Sequence, residues 1–309
     1  MNKNTLIALH ISANSLKNSD SFLKQKFTIF MLHCSVVLFF LFFATIVAAQ
    51  SSEGAKIGLG AAHDPLNLDS SVALVADVNT HEVLFAKNPH VALPIASITK
   101  IMTVLVTLKA NLDLDEYITL TKEDYDYYKH TGSRLKAGDT FTRRDLIHLA
   151  LMSSENRAAA ALGRTYPGGL TAMVATMNAV ASQLGMFSTS FVETTGLSEE
   201  NRSTANDLAR LVMHAAKYPI IKEFSTSPQF SVRAKRGVLD FKTTNKLVRD
   251  GQWEILLQKT GYINEAGRCL VMQARIAGRD LVIVLLDSIN SGSRFKDANT
   301  IRTHIASLR

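Results

Sequence analysis

Ser97 and Lys100 stand three residues apart, a spacing that puts a hydroxyl and an amine on one face of a helix. A serine hydroxyl is a weak nucleophile and needs a base to take its proton. A lysine can be that base if it is partly neutral, and burial or a second nearby cation both push it that way. Two more short motifs follow in order, Ser154-Glu155-Asn156 and Lys259-Thr260-Gly261. Ser154 is placed to carry a proton to a leaving amine. Asn156 offers a side-chain amide to hold substrate and Lys100. Lys259 is the natural second cation, able to depress the proton affinity of Lys100 and to attract a carboxylate. Together these groups suit acyl transfer through a serine ester.

Each motif alone carries little information. S-x-x-K occurs at Ser21/Lys24, Ser97/Lys100, Ser133/Lys136 and Ser293/Lys296, and S-x-N at Ser12/Asn14, Ser154/Asn156 and Ser288/Asn290. K-T-G occurs once. Order and context separate them. Ser12 and Ser21 lie in an expected leader, Ser133 in a polar glycine-containing stretch close before Ser154, and Ser293 after the K-T-G. Ser97 opens the strongly apolar run Ile98, Ile101, Met102, Val104, Leu105, Val106 and Leu108. That run predicts a helix starting near Ser97 and covered on most sides.

The elements around the motifs can be read in the same way. TRRDLIHLALM (142–152) and NRAAAAL (156–162) predict two helices, with 153–155 as their link, where Ser154 could instead be a simple helix cap. Residues 253–258, 268–276 and 280–286 predict antiparallel strands punctuated by Gly267 and Gly278. The K-T-G then lies on a strand edge where an extended peptide can pair, and the backbone N–H groups of Ser97 and Tyr262 would receive a developing oxyanion. An N-terminal hairpin (72–78 and 83–87, turning at 79–81) is expected to join the C-terminal strands in one sheet. A mainly helical lobe over about 111–218 is inserted, strands run from about 229 to 286, and a helix over 295–308 closes the fold. The expected class is α/β of the α+β type, an antiparallel sheet flanked by helices, with the site between lobes.

The order S-x-x-K, S-x-N, K-T-G is similar to that of the low-molecular-mass penicillin-binding serine peptidases, the D-alanyl-D-alanine peptidases. The likeness runs from about Ser71 to Ala298. It includes Leu135-Lys136-Ala137-Gly138-Asp139, Met177 to Met186, Thr195-Gly196-Leu197 and Ser203 to Ala209. It implies the serine β-lactamase/DD-peptidase fold, Ser97 as nucleophile, Lys100 as base and a relay through Ser154 and Asn156. It also implies substrate-carboxylate and strand contacts from Lys259 and Thr260, continued by Gly261 and Tyr262. The endopeptidase branch of the family is the nearest in pattern, because only the closing helix follows the last strand and leaves no room for an added domain or a membrane-anchoring helix. The implied reaction is cleavage of D-alanyl-diaminopimelate cross-links between peptidoglycan stem peptides, with β-lactams as covalent inhibitors. A D-alanyl-D-alanine carboxypeptidase is the alternative. A β-lactamase would need a deacylating glutamate in an E-x-x-L-N block, and Glu193-Thr194-Thr195-Gly196-Leu197 does not match it. A non-catalytic wall-binding protein that kept the fold is the remaining rival.

Composition bounds the rest. Of 309 residues 47% are hydrophobic, enough for a sizeable core. Residues 1–49 read as a leader: Lys24 and Lys26 precede an apolar run from Val36 that ends Val47-Ala48-Ala49, with cleavage expected after Ala49. Met31 is an alternative start, and an uncleaved signal anchor is the alternative fate, which would be the only membrane contact. Loss of the leader removes Lys3, Lys17, Lys24, Lys26 and Asp20, so the charge falls from +7 to +4. A mildly basic periplasmic catalytic domain over 55–309 suits an anionic polymer. The scattered basic residues give no reason to expect nucleic acid, and Arg233 to Arg236 reads as a solvated turn. Cys269 is the sole mature cysteine and falls in a strand pattern, so it is expected in the core. No H-E-x-x-H or C-x-x-C occurs, and no metal or cofactor is expected.

Overall fold

The computed structural model describes residues 51–61 and 64–308. The expected leader lies outside the described residues. In chain order the main elements are helix α1 (Glu53–Lys56), strands β1 (Ser70–Asp77), β2 (Val83–Lys87) and β3 (Leu93–Pro94), and α2 (Thr99–Lys109), which a 3-10 turn over Ala96–Ile98 introduces. Strands β4 (Tyr117–Thr119) and β5 (Thr140–Thr142) precede α3 (Arg143–Met152), α4 (Asn156–Arg164) and α5 (Gly169–Gln183). Strand β6 (Arg202–Ser203), α6 (Ala205–Ala215) and α7 (Pro219–Thr226) follow. The chain then makes β7 (Gln229–Ala234), β8 (Gly237–Lys242), α8 (Lys246–Asp250), β9 (Glu254–Ile263), β10 (Gly267–Ile276), β11 (Arg279–Ser288) and α9 (Ser293–Ser307).

The main sheet has the order β2-β1-β11-β10-β9, antiparallel throughout. The N-terminal hairpin joins it through β1 and β11, with Leu74 opposite Val284. Strands β1, β10 and β11 are apolar almost throughout because both their faces are covered. Val72, Leu74, Cys269, Val271, Val282 and Val284 pack with the helices of the inserted lobe. Their alternates Ala73, Val75, Leu270, Met272, Leu281 and Ile283 pack with Ala298, Ile301 and Ile305 of α9. Period-2 alternation thus divides one run of apolar residues between two cores. Strand β9 lies at the edge of the sheet.

Helix α2 runs through the centre of the larger core, and Thr99 to Thr107 are all buried. Helices and sheet cover it on nearly every side, and its polar residues Thr99, Lys100, Thr103 and Thr107 are buried with the rest. Helix α3 starts with a reciprocal capping box: Thr142 Oγ1 accepts from Asp145 N, and Asp145 Oδ2 accepts from Thr142 N. Cys269 is fully buried, and burial pushes its thiol up to about 12, consistent with an inert core residue.

Two expectations from the pattern fail. The stretch 111–142 forms no α-helix: it holds the β4–β5 ribbon, a short 3-10 turn over Lys122–Asp124 and a long irregular segment. Aspartates prevent a helix there by capturing local N–H groups: Asp113 accepts from Asp115 N, Asp126 from Tyr128 N and Lys129 N, and Asp139 from Lys136 N. Strands β7 and β8 pair with each other and stay outside the main sheet. Most of their outward residues are polar or charged (Gln229, Ser231, Arg233, Asp240 and Lys242), which suits strands exposed on one face. The basic turn at their tip is not merely solvated, because Arg236 donates to the Arg134 carbonyl and Lys235 N donates to Asp139 Oδ1.

Among the described residues no helix is long and apolar enough to cross a membrane. Leu105 is wholly buried midway along α2. Leu105→Ala is expected to lower the unfolding free energy by about 2–5 kcal/mol through lost burial and the cavity left behind. Denaturant titration checks this, and a loss below about 1 kcal/mol would show that α2 is not a central packing element.

Candidate active site

The three motifs meet in one cleft of about 600 Å³ whose lining includes Ser97, Ser154, Asn156, Thr260, Gly261 and Tyr262. Lys100 and Lys259 lie beneath it, fully buried. Ser97 sits in the 3-10 turn before α2, and Lys100 is in the first turn of the helix. Ser97 caps neither element: the N-cap positions are Ile95 and Ile98. Its Oγ is 2.8 Å from Lys100 Nζ instead.

The Lys100 amine has three oxygen partners: Ser97 Oγ at 2.8 Å, Asn156 Oδ1 at 2.8 Å and the Thr195 carbonyl at 2.5 Å. Two of the three are carbonyl-type oxygens, which can only accept. A neutral amine has two N–H groups and one lone pair. Once neutral, Lys100 satisfies both carbonyls and is left with its lone pair facing the one partner that owns a hydrogen, Ser97. Burial lowers its pKa to about 8, against the opposing charges of Glu193, Glu155 and Asp126. Burial is the largest cause of that depression, and the positive charges of Lys100 and Lys259 act against each other. Lys259 is held well below the ordinary lysine range by burial, with the charges of Lys100 and Arg294 adding to the effect.

Ser154 lies between α3 and α4 in left-handed backbone, with φ of 61°. It is not a cap: Ser153 closes α3, and Glu155 is the N-cap of α4, accepting from Arg157 N. Its Oγ accepts from Lys259 Nζ at 2.8 Å, and Lys259 also donates to the Thr260 carbonyl at 2.8 Å. Glu155 accepts from Ser133 Oγ at 2.6 Å and so ties the irregular segment to the helix junction. The S-x-x-K at Ser133 is accordingly a structural contact.

Strand β9 forms the other wall. Thr260 Oγ1 meets Thr244 Oγ1 at 2.6 Å. A Cβ on Gly261 would lie 3.0 Å from the Ile95 carbonyl and 3.2 Å from Ser97 N, so the strand and the serine turn are in contact. Tyr262 projects from the edge, half exposed, with the Arg268 guanidinium 3.6 Å over its ring and its hydroxyl donating to Asn264. Across the cleft Lys129 pairs with Glu265 at 2.6 Å.

Several contributors carry no motif. Ala96, next to Ser97, has φ of 47°, a costly conformation for a residue with a Cβ. It is held there by Gly196, itself at φ of 80°, where a Cβ would stand 1.9 Å from the Ala96 carbonyl oxygen. The Thr195–Gly196 loop is braced by buried Glu193, whose carboxylate accepts from Thr195 N, Thr195 Oγ1, Gly196 N and Asn201 Nδ2. Arg294, between Ser293 and Lys296, also lines the cleft and donates to the Gly261 and Cys269 carbonyls at 2.9 and 3.2 Å. The glycine in Thr195-Gly196-Leu197 was a legible signal. The Thr195 carbonyl and Arg294 were not, because a carbonyl is present at every residue and an arginine at a helix start has many other uses.

Gly196→Ala is expected to force the Ala96–Ser97 turn to move. Overpacking of this kind costs about 1–3 kcal/mol, and a shift of the reacting group by an ångström costs about 100-fold in rate. Labelling of Ser97 by a fluorescent penicillin, read beside thermal unfolding, checks both. Wild-type labelling in the variant would remove Gly196 from the site.

The geometry agrees with what related sequences show. A sequence profile of the D-alanyl-D-alanine carboxypeptidase family, peptidase S11, matches residues 60–290. A D-alanyl-D-alanine endopeptidase of Pseudomonas aeruginosa is 43% identical over 270 residues, spanning 87% of this chain and 86% of the relative. One of Escherichia coli K12 is 42% identical over 238 residues, spanning 76% and 77%. Among solved structures the Streptomyces K15 DD-transpeptidase superposes with a TM-score of 0.72 at 27% identity, covering 79% of this chain and 98% of that one.

Proposed function

The chain belongs to the D-alanyl-D-alanine carboxypeptidase family of serine peptidases, and from that premise we propose that it is an endopeptidase that hydrolyses D-alanyl-diaminopimelate cross-links between peptidoglycan stem peptides. The observation that carries the mechanism is the set of three oxygens around the Lys100 amine. In this reading neutral Lys100 takes the proton of Ser97 Oγ as that oxygen bonds to the D-alanyl carbonyl carbon. The oxyanion is received by the backbone N–H groups of Ser97 and Tyr262. The C–N bond then breaks, and the proton that Lys100 took passes to the leaving amine through Ser154 Oγ, which Lys259 orients and which is protonated again as it gives its own proton up, so that Lys100 is neutral once more. Water attacks the Ser97 ester with one proton passing to neutral Lys100, which returns it to Ser97 Oγ as the carboxylic acid leaves, and the serine and the base are restored. Lys259 and Thr260 attract the substrate carboxylate, and β9, through Gly261 and Tyr262, pairs with the stem peptide as an added strand. The choice of endopeptidase rests on the two relatives that share more than two fifths of their aligned residues with this chain.

A β-lactamase reading is disfavoured by Glu193. All four of its contacts are to donors of its own loop and of Asn201, so it is not free to activate a deacylating water. β-Lactams are then slow-leaving covalent inhibitors. Residues 1–49 act as an export leader in this reading, and the catalytic domain over 55–309 works in the periplasm on the cell wall.

Mass spectrometry of the mature protein with cross-linked muropeptide dimers and, separately, with a free pentapeptide tests the proposal beside Ser97→Ala. Monomers from dimers, absent in the variant, are expected. Release of D-alanine from the pentapeptide alone would make the protein a carboxypeptidase. The base is active when neutral, so the acylation rate should rise with pH through about 8, where Lys100 titrates, and level off above it. A rate independent of pH between 6 and 9 (about three decades of proton activity) would exclude Lys100, as would normal acylation by Lys100→Arg at neutral pH.

A further inference from the structure

Lys100 works as described only if the Asn156 amide turns its oxygen, not its nitrogen, toward the amine. The two ends of an amide are close in size, so shape alone does not choose between them. The choice is made on the far side of Asn156. Its Nδ2 donates to Thr131 Oγ1 at 2.9 Å, and Thr131 Oγ1 is 2.6 Å from Asp126 Oδ2.

Asp126 also accepts from Thr131 N, Tyr128 N and Lys129 N. Burial pushes this carboxyl upward, but the hydrogen bonds from Thr131, Lys129 and Tyr128 outweigh it and hold it below the usual range. Asp126 is therefore an anion with no hydrogen to give. The single hydroxyl hydrogen of Thr131 must point to Asp126. Thr131 can then only accept from Asn156, so the Asn156 NH₂ faces Thr131 and its oxygen faces Lys100.

We propose that Thr131, oriented by Asp126, is a positioning residue that sets the direction of the hydrogen-bond chain Asp126–Thr131–Asn156–Lys100–Ser97 and so aims the lone pair of the base at the nucleophile. This rests on the acyl-serine reading above and adds two residues outside all three motifs. Both belong to the irregular segment 120–139, and neither touches Ser97.

If the Asn156 amide reverses, its NH₂ donates to the Lys100 lone pair. The base is then capped, and its neutral form is favoured over its cation. The groups that set the Lys100 charge from surrounding elements are Glu193, Glu155 and Asp126, with Lys259 on β9 coupled to it. Thr131→Val leaves each of these charges in place and removes only the hydroxyl, and Thr131 N still donates to Asp126.

The experiment is the rate of Ser97 acylation by a fluorescent penicillin between pH 6 and 10 for wild type, Thr131→Val and Thr131→Ser, with the saturating label per molecule measured in each. In Thr131→Val the plateau rate is expected to fall by about tenfold or more, and the acidic limb to move to lower pH. Thr131→Ser, which keeps the hydroxyl, is expected to restore the rate and the limb. A merely structural role would lower the fraction of protein labelled and leave the limb where it is, and that result would overturn the proposal. So would a Thr131→Val profile that matches wild type. Labelling that survives Ser97→Ala would instead remove the acyl-serine reading on which both rest.

Discussion

The structure depends on burying an amine without leaving it unsatisfied. Lys100 has no exposed surface, yet its Nζ meets three oxygens from three separate parts of the chain. An unpartnered cation at that depth would cost several kcal/mol or more. Three acceptors remove most of that cost, and desolvation still brings the pKa down to about 8. The same burial that makes the lysine expensive to keep makes it a usable base. Each acceptor must be delivered by its own element: the serine by a strained turn, the amide by the start of α4 and the carbonyl by the Glu193-braced loop.

That requirement accounts for much of the surrounding architecture. Helix α2 is buried from Thr99 to Thr107, which keeps Lys100 away from water. The central strands are apolar on both faces because one face carries the helical core and the other carries α9. Two of the chain's positive-φ non-glycine residues stand in the site, Ala96 and Ser154, and Gly196 is pressed against the Ala96–Ser97 peptide. Non-glycine residues hold such conformations only where neighbours over-determine them. Here the neighbours are the edge strand β9 on one side and the Thr195–Gly196 loop on the other.

The electrostatics divide the two lysines. Both are fully buried, and they belong to one coupled cluster with Arg294. Lys100 keeps three carboxylates within range, from Glu193, Glu155 and Asp126, which partly offset its desolvation. Lys259 has only cations near it and hydrogen bonds to Ser154 Oγ and a carbonyl. An anionic group entering the cleft would relieve that imbalance, which fits attraction of a carboxylate. Two lysines of the same burial thus suit a base and an anion contact, because the groups around them differ.

The amino-acid sequence by itself determined which side chains are available to the site and most of the elements that carry them. Ser97 and Lys100 share a face because three residues make nearly one helical turn, and local periodicity of 3.6 or 2 revealed α2, α3, α4 and the β9–β11 strands. It also placed the N-terminal hairpin beside the C-terminal strands, since strands apolar on both faces need partners. Local pattern misjudged the stretch 111–142, where aspartates capture backbone N–H groups, and β7–β8, whose mostly polar outward faces suit strands exposed on one face. Tertiary structure alone decided that Lys100 has no exposed surface at all, that the third acceptor is the Thr195 carbonyl, and that Arg294 and Thr131 reach the site. Those facts depend on distances between residues far apart in the chain. Backbone carbonyls and single hydroxyls look the same everywhere in a sequence until folding gives them neighbours.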